Sequence, residues 1–270
     1  MTSFKLFKRD ALGIFIFSKR MVFILFGLIA HYRFKILNNT TITGSEHVRK
    51  LPKRQVLIVS NHQTYFADVS LILLTFFSIK NGLKDKIGSL FTLLNPQVRI
   101  YFVAAMETMK AGILPKLFAY AGGILIKRTW REKGQDIKRE VDPNDTKQIG
   151  DALRDGWVIT FPQGTTRPYA PGRKGTAHII KQYKPIVLPI VIDGFRRAFD
   201  KKGILIKKKG VQISLRVKPP LNINYDDTPE AILQQIMQAI EQSEEFYPPN
   251  LKEMQEQDDR VVENINKMIY

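Results

Sequence analysis

Gln55-Val56-Leu57-Ile58-Val59-Ser60 runs straight into Asn61-His62-Gln63-Thr64-Tyr65-Phe66-Ala67-Asp68, and this junction decides the fold. A short β-branched apolar run reads as a strand, and the helical period over Phe66–Ile79 reads as the helix that follows it. The pattern recurs outward from there. Further strands are expected at Arg99–Ala105, Gly123–Lys127, Trp157–Phe161, Ile186–Ile192 and Val211–Val217. Helices are expected near Glu107–Ala121, Asp145–Asp155, Gly175–Gln182 and Pro229–Glu245. Strands alternating with helices predict an α/β fold with a mixed, partly parallel sheet covered by helices. In such sheets ligands bind beyond the carboxyl ends of the strands, so the polar residues after each strand are the place to look for chemistry.

The 270 residues are enough to bury a real core, and 44% hydrophobic with 25% charged residues argues against disorder or a polytopic membrane protein. The chain has no cysteine, which removes disulfides, thiolate metal sites and cysteine nucleophiles together. The net charge of +17 is unevenly spread. Residues 226–270 hold eleven acids and three bases, whereas residues 1–225 carry 39 bases and 14 acids, a net of +25. A basic body of this kind calls for an anionic partner: nucleic acid, an anionic lipid surface or an anionic substrate.

Residues 11–31 are apolar but interrupted by Lys19 and Arg20, too short on either side to span a bilayer. At about 100° per residue Phe4, Phe7, Ala11, Ile14, Phe15 and Ser18 share one stripe, with Lys8, Arg9, Lys19 and Arg20 clustered beside it. We read residues 1–35 as an amphipathic membrane-interface helical segment, its bases against anionic lipid. A helix packed on the core by its aromatic stripe is the plainer alternative. Residues 36–225 then form the main domain, and residues 226–270 a C-terminal helix with a loosely packed acidic tail.

His62 and Asp68 have the make-up of a base and its orienting carboxylate. Phe161-Pro162-Gln163-Gly164-Thr165-Thr166-Arg167 combines glycine, hydroxyls and arginine, which fit either a phosphate cradle or an exposed basic turn. Gly122-Gly123-Ile124-Leu125-Ile126-Lys127-Arg128 is a strand that exits into two bases. No histidine cluster has metal-ligand spacing, and neither a serine elbow nor a nucleotide-binding loop occurs.

Together with Val187-Leu188-Pro189-Ile190-Val191, these blocks in this order resemble the lysophospholipid acyltransferase family over roughly residues 45–220. The resemblance implies that His62 deprotonates a lysolipid hydroxyl, that Asp68 orients it, and that the hydroxyl attacks an acyl thioester directly. It implies substrate contacts from Arg128, Gln163, Gly164, Thr165, Thr166 and Arg167 to the acceptor phosphate. The implied reaction is acylation of 1-acyl-glycerol-3-phosphate to phosphatidic acid. The implied donor is acyl carrier protein or coenzyme A thioester, with no other cofactor and no metal. The implied place is the cytoplasmic face of the cell membrane, with a lysophospholipid and an anionic membrane surface as partners and no nucleic acid.

Two departures fall in the site. Five residues rather than four separate His62 from Asp68, which turns a helical aspartate by about 100° and requires a local turn to close the pair. Gln163 stands where the family carries glutamate, and Thr166 is an insertion. Other readings are a lyso-aminoacyl lipid acceptor, a silent membrane protein that kept the fold, and a basic nucleic-acid-binding module. The last lacks aromatics interleaved with bases on a strand face.

Overall fold

A computed structural model of the chain describes residues 8–110, 112–127, 131–132, 135–136 and 142–269. Helix α1 is Ile16–His31, strand β1 Asn39–Thr43, α2 the single turn Glu46–Arg49, β2 Val56–Ser60 and α3 Ala67–Lys80. Then follow β3 Ile100–Ala105, α4 Met106–Lys110, α5 Ile113–Ala119 and β4 Gly123–Ile126. A two-residue pair, β5 Arg131–Glu132 and β6 Gln135–Asp136, precedes α6 Pro143–Asp155, β7 Trp157–Thr160 and α7 Lys174–Tyr183. The chain ends with β8 Ile186–Asp193, the turn α8 Phe195–Ala198, β9 Gln212–Val217, α9 Pro229–Ala239 and α10 Leu251–Ile269.

Seven strands form one sheet in the order β1-β9-β8-β2-β7-β3-β4. All neighbours are parallel except β8 and β9. The mixed, mostly parallel α/β sheet is the architecture expected. β2 is central and wholly buried, with Val56 opposite both Trp157 and Ile186. Its side chains alternate between two cores, as a strand's period of two requires. Val56 and Ile58 join α1 and α3 through Phe23, Leu71 and Phe77. Leu57 and Val59 join α6, α7 and α9 through Leu153, Ile180 and Ile236. The helix α3 is buried nearly all round, which explains its lack of a polar face.

The structure differs from expectation in four places. The edge strand β1, too polar in Asn39-Thr40-Thr41 to stand out, pairs with β9. The helix expected over Glu107–Ala121 divides into α4 and α5. The N-terminal segment is not one amphipathic helix. Asp10 Oδ1 accepts the Leu12 and Ile14 N–H groups, each at 3.0 Å, and this turn stops helix formation until Ile16. Phe4 and Phe7 lie outside the described residues. Lys19 does not meet lipid: it is fully buried and pairs with Asp10 at 2.9 Å, over the ring of Tyr101. Finally, the acidic tail is helical and docked through α10.

No helix among the described residues is long and apolar enough to cross a membrane.

Candidate active site

The carboxyl ends of β2, β7 and β8 carry the loops that build the site. After β2, Asn61 holds β8 from both sides: its amide donates to the Ile192 carbonyl at 2.9 Å and its oxygen accepts the Ile192 N–H at 2.8 Å. Gln63 repeats the device, accepting the Phe195 N–H at 3.0 Å. These bonds fix where His62 leaves the sheet.

The lengthened His–Asp spacing closes by a loop. Residues 61–66 are irregular, and Asp68 opens α3 in its first turn. Its Oδ2 accepts the Gln63 N–H at 2.6 Å, and its Oδ1 accepts the Thr64 hydroxyl at 2.6 Å and the Thr64 N–H at 3.1 Å. The carboxylate thus gathers the extra residue around itself, as anions do at a helix N-terminus. Asp68 is fully buried, and His62 Nδ1 lies 2.9 Å from its Oδ2. With a carboxylate as partner Nδ1 carries the proton, leaving the Nε2 lone pair free to accept one.

The His62 ring stacks on Phe161, with centroids 3.9 Å apart and planes 16° apart. This contact joins the base to the loop that follows β7. There Gly164 has φ of +64°, and its N–H donates to the Phe161 carbonyl at 2.9 Å, a tight turn that glycine adopts without strain. Thr165 Oγ1 accepts the Arg167 N–H at 3.2 Å. Thr166 is buried, and its hydroxyl has no partner. Gln163 sits behind the loop rather than in it. Its amide donates to the Ala170 carbonyl at 2.8 Å and to Gln242 at 3.0 Å, which shapes the turn. The Arg128 side of the cradle lies outside the described residues.

The third wall comes from the segment after β8, Phe195–Lys209, whose sequence is rich in bases. Lys207, Lys208 and Lys209 are exposed, but Arg196 and Lys201 turn inward. Arg196 Nη2 donates to the carbonyls of Thr166 and, at 3.4 Å, of His62, tying the two loops together. Burial draws the Arg196 guanidinium below its ordinary range, with Asp258, Asp68, Tyr169 and Asp193 opposing that shift. The Lys201 and Lys202 carbonyls accept the Tyr65 and Phe66 N–H groups at 3.2 and 3.0 Å. Gly203 makes this approach possible, since a Cβ there would come within 2.7 Å of the Ala67 nitrogen.

Arg167 is not free. Its Nε and Nη2 donate to Asp259 of α10 at 3.1 and 2.9 Å, and Lys201 pairs with the neighbouring Asp258. The structure therefore brings together His62, Asp68, Gly164, Thr165, Thr166 and Arg167. It adds Arg196 and Lys201, and it places an acidic helix against them. Only their position after β8 marked Arg196 and Lys201 in the sequence. Chemically the cluster offers a general base of fixed tautomer beside a cationic pocket. Among the described residues no group of three or more histidine, aspartate and glutamate side chains is arranged to hold a metal ion.

The family described as Acyltransferase matches residues 39–193. The fold is similar to that of the 1-acyl-sn-glycerophosphate acyltransferase PlsC from Thermotoga maritima. The TM-score is 0.53 at 18% identity, over 82% of this chain and 76% of that one. No curated protein matches the sequence. The family's span covers more than half of the chain and takes in β2, β7 and β8 with the loops that carry the histidine, the aspartate and the cationic turn, so the protein belongs to the Acyltransferase family.

Proposed function

We propose that the protein transfers a fatty acyl group from a thioester to the free hydroxyl of a lysophospholipid, in the simplest case converting 1-acyl-glycerol-3-phosphate to phosphatidic acid. The observation that carries this reading is the 2.9 Å contact between His62 Nδ1 and Asp68, on a ring stacked against Phe161 at the start of the glycine-turn loop. Nε2 takes the proton of the lysolipid hydroxyl as its oxygen attacks the thioester carbonyl carbon. The tetrahedral intermediate collapses by breaking the carbon–sulfur bond, and the imidazolium returns the proton to the departing thiolate. Asp68 holds the tautomer and stabilises the transient cation, as a buried carboxylate does in other histidine-based sites. No covalent acyl-enzyme is needed, which suits a chain without cysteine.

The donor in this reading is an acyl carrier protein or coenzyme A thioester, which sets the reaction on the cytoplasmic leaflet. Membrane attachment is supported by a band of exposed apolar side chains on adjacent elements. Phe17, Met21, Leu25 and Ile29 project from α1, Phe91 (79% exposed) from the neighbouring 3-10 turn, and Ile113 (87% exposed) from α5. Soluble monomers seldom present so many large apolar groups together. At 16 residues α1 is about 24 Å long, short of the roughly 30 Å hydrocarbon core, so the band would lie in one leaflet. Arg20 on α1, Lys35 on the π-helical turn Tyr32–Ile36 that continues it, and Lys116 on α5 are exposed, where they can meet anionic headgroups.

Membranes containing the wild type or His62→Ala test the chemistry, with acyl thioester as donor and 1-acyl-glycerol-3-phosphate competing against phosphate-free lysolipids. Loss of the base is expected to slow transfer by about 10²–10⁴-fold. Equal rates would remove His62 from its role, and preference for phosphate-free acceptors would reassign the cationic loop.

A further inference from the structure

The acidic helix α10 lies on the cations that the acceptor needs. We propose that Arg196 and Lys201 complete, with Arg167 and Thr166, a pocket for a phosphate monoester, and that Asp258 and Asp259 fill this pocket as an internal ligand that the phosphate must displace. The proposal rests on the acyltransferase reading above and deepens it. It adds two residues that no motif marks, and it gives the C-terminal helix a part in acceptor entry.

Three observations support it. First, the contacts have the form in which these cations would hold an anion, from an exposed rim at Arg167 and Asp259 to a shielded floor at Lys201. Arg167 presents two donors to the two oxygens of Asp259, the fork geometry that serves phosphate equally well. Lys201 and Asp258 are largely shielded, with side chains 6% and 11% exposed.

Second, the pocket is not saturated. Five buried side-chain polar atoms among the described residues have no hydrogen-bond partner, and three of them are here: Thr166 Oγ1, Arg196 Nε and Asp258 Oδ2. Unpaired buried polar atoms carry a desolvation penalty. A cluster of two donors and a surplus carboxylate oxygen is what results when two carboxylates occupy a place suited to a group with more oxygens. A phosphate monoester has three terminal oxygens and a charge near −2, enough for Arg167, Arg196, Lys201 and the Thr166 hydroxyl.

Third, α10 is held in a way that allows it to leave. Among residues 251–264 Leu251, Met254, Gln255, Asp258 and Val262 are half-buried and the rest exposed, and Gln255 donates to the Pro168 carbonyl at 2.9 Å. The helix follows Pro248 and Pro249, which separate it from α9 and from the core. A helix whose apolar side chains are only half-buried relies on its charges for much of its attachment, and such an attachment yields to a better anion.

Occupation by a tethered carboxylate pair lowers the apparent affinity for the acceptor by the fraction of time the pocket is open. Two measurements on the full-length protein in nanodiscs test this. In hydrogen exchange, 1-acyl-glycerol-3-phosphate should raise exchange over residues 251–264 several-fold. sn-Glycerol 3-phosphate and inorganic phosphate should do so at higher concentration if free phosphate suffices. Monoacylglycerol, which lacks phosphate, should not. In kinetics, Asp258→Asn with Asp259→Asn should lower the KM for the acceptor by about tenfold, and should raise exchange over residues 251–264 without any ligand. The proposal is overturned if phosphate monoesters leave exchange over residues 251–264 unchanged, or if the double variant keeps or raises the acceptor KM. The exchange experiment does not depend on turnover. If no lysolipid is acylated the acyltransferase chemistry fails, while displacement by phosphate monoesters still decides the pocket.

Discussion

Among the described residues two ionic clusters lie at opposite ends of a scale of completeness, the first fully buried and the second running from a shielded Lys201–Asp258 pair to an exposed Arg167–Asp259 pair. In the first, Lys19 Nζ meets Asp10 Oδ2 at 2.9 Å, and Asp10 Oδ1 accepts two backbone N–H groups. The ammonium lies 3.9 Å from the centre of the Tyr101 ring and 5.8 Å from that of Phe23. The Asp10 carboxylate oxygens and the Lys19 ammonium all have partners. In the second, Arg167, Arg196 and Lys201 face Asp258 and Asp259, and three buried polar atoms have none. A saturated pair fastens one element to another, here the N-terminal turn and α1 to β3. An unsaturated one is a site with a stand-in. The same chemistry serves as a clasp or as a pocket according to whether its hydrogen bonds close.

Removing the clasp should have the largest effect. Lys19→Ala leaves Asp10 buried without its counter-ion, and breaking such a pair costs about 3–5 kcal/mol. For a chain of this size that corresponds to a fall in Tm on the order of 10 °C. Thermal unfolding of the variant in detergent checks it, with the KM for the acceptor expected to stay at the wild-type value. A loss below about 1 kcal/mol would show that Asp10 finds water when Lys19 is gone, and the contrast between the clusters would vanish.

The corresponding change in the open cluster should divide the other way. After Lys201→Met, Asp258 sits on a surface helix whose apolar side chains are only half-buried and can turn to solvent, so the stability lost should be smaller than for Lys19→Ala. The lost cation should instead raise the acceptor KM by about tenfold, equivalent to ~1.4 kcal/mol. Both quantities come from the same preparation, by unfolding and by initial rates. A large stability loss with unchanged KM would make Lys201 a second clasp.

The difference between the clusters also explains what the sequence could disclose. The sheet was legible because each inner strand is a short β-branched run whose burial follows from composition, as in Val56–Ser60 and Ile186–Ile192. His62 and the turn at Gly164 were legible because their residue types at strand ends are chemically distinctive. How the five-residue gap closes was not, since it depends on Thr64 and two backbone N–H groups wrapping Asp68. The N-terminal stripe misled because periodicity treats Asp10 and Lys19 as two points on one helix, whereas a turn brings them together. The tail misled because its many charges mask the helical spacing of Leu251, Met254, Val261, Val262 and Ile265, and because its partners lie 57 and 92 residues away in the chain. Long-range pairs between charges leave no local pattern.

The smallest of the expected effects concerns the clasp alone, and its sign is unusual. Burial lowers the Lys19 ammonium from 10.5 to about 8, with Asp10 opposing that shift and Arg99 adding to it. In the unfolded chain the lysine keeps its ordinary value, so between pH 8 and 10.5 the unfolded state binds more protons than the folded one. Stability must then rise with pH in that window, whereas below pH 8 the burial penalty is present in full. Among the other groups at the clasp, Tyr101 is held above its ordinary range by burial and by Asp10, and it donates to Asp155. It therefore stays protonated, and up to pH 8.5, where an unfolded tyrosine is still protonated too, it adds no appreciable slope. The measurement is the unfolding free energy of the wild type minus that of a Lys19→Met, Asp10→Asn double variant, from pH 7 to 8.5. A rise of up to about 1 kcal/mol is expected. A flat or falling difference would mean that water reaches the ammonium, and that the first cluster is as open as the second.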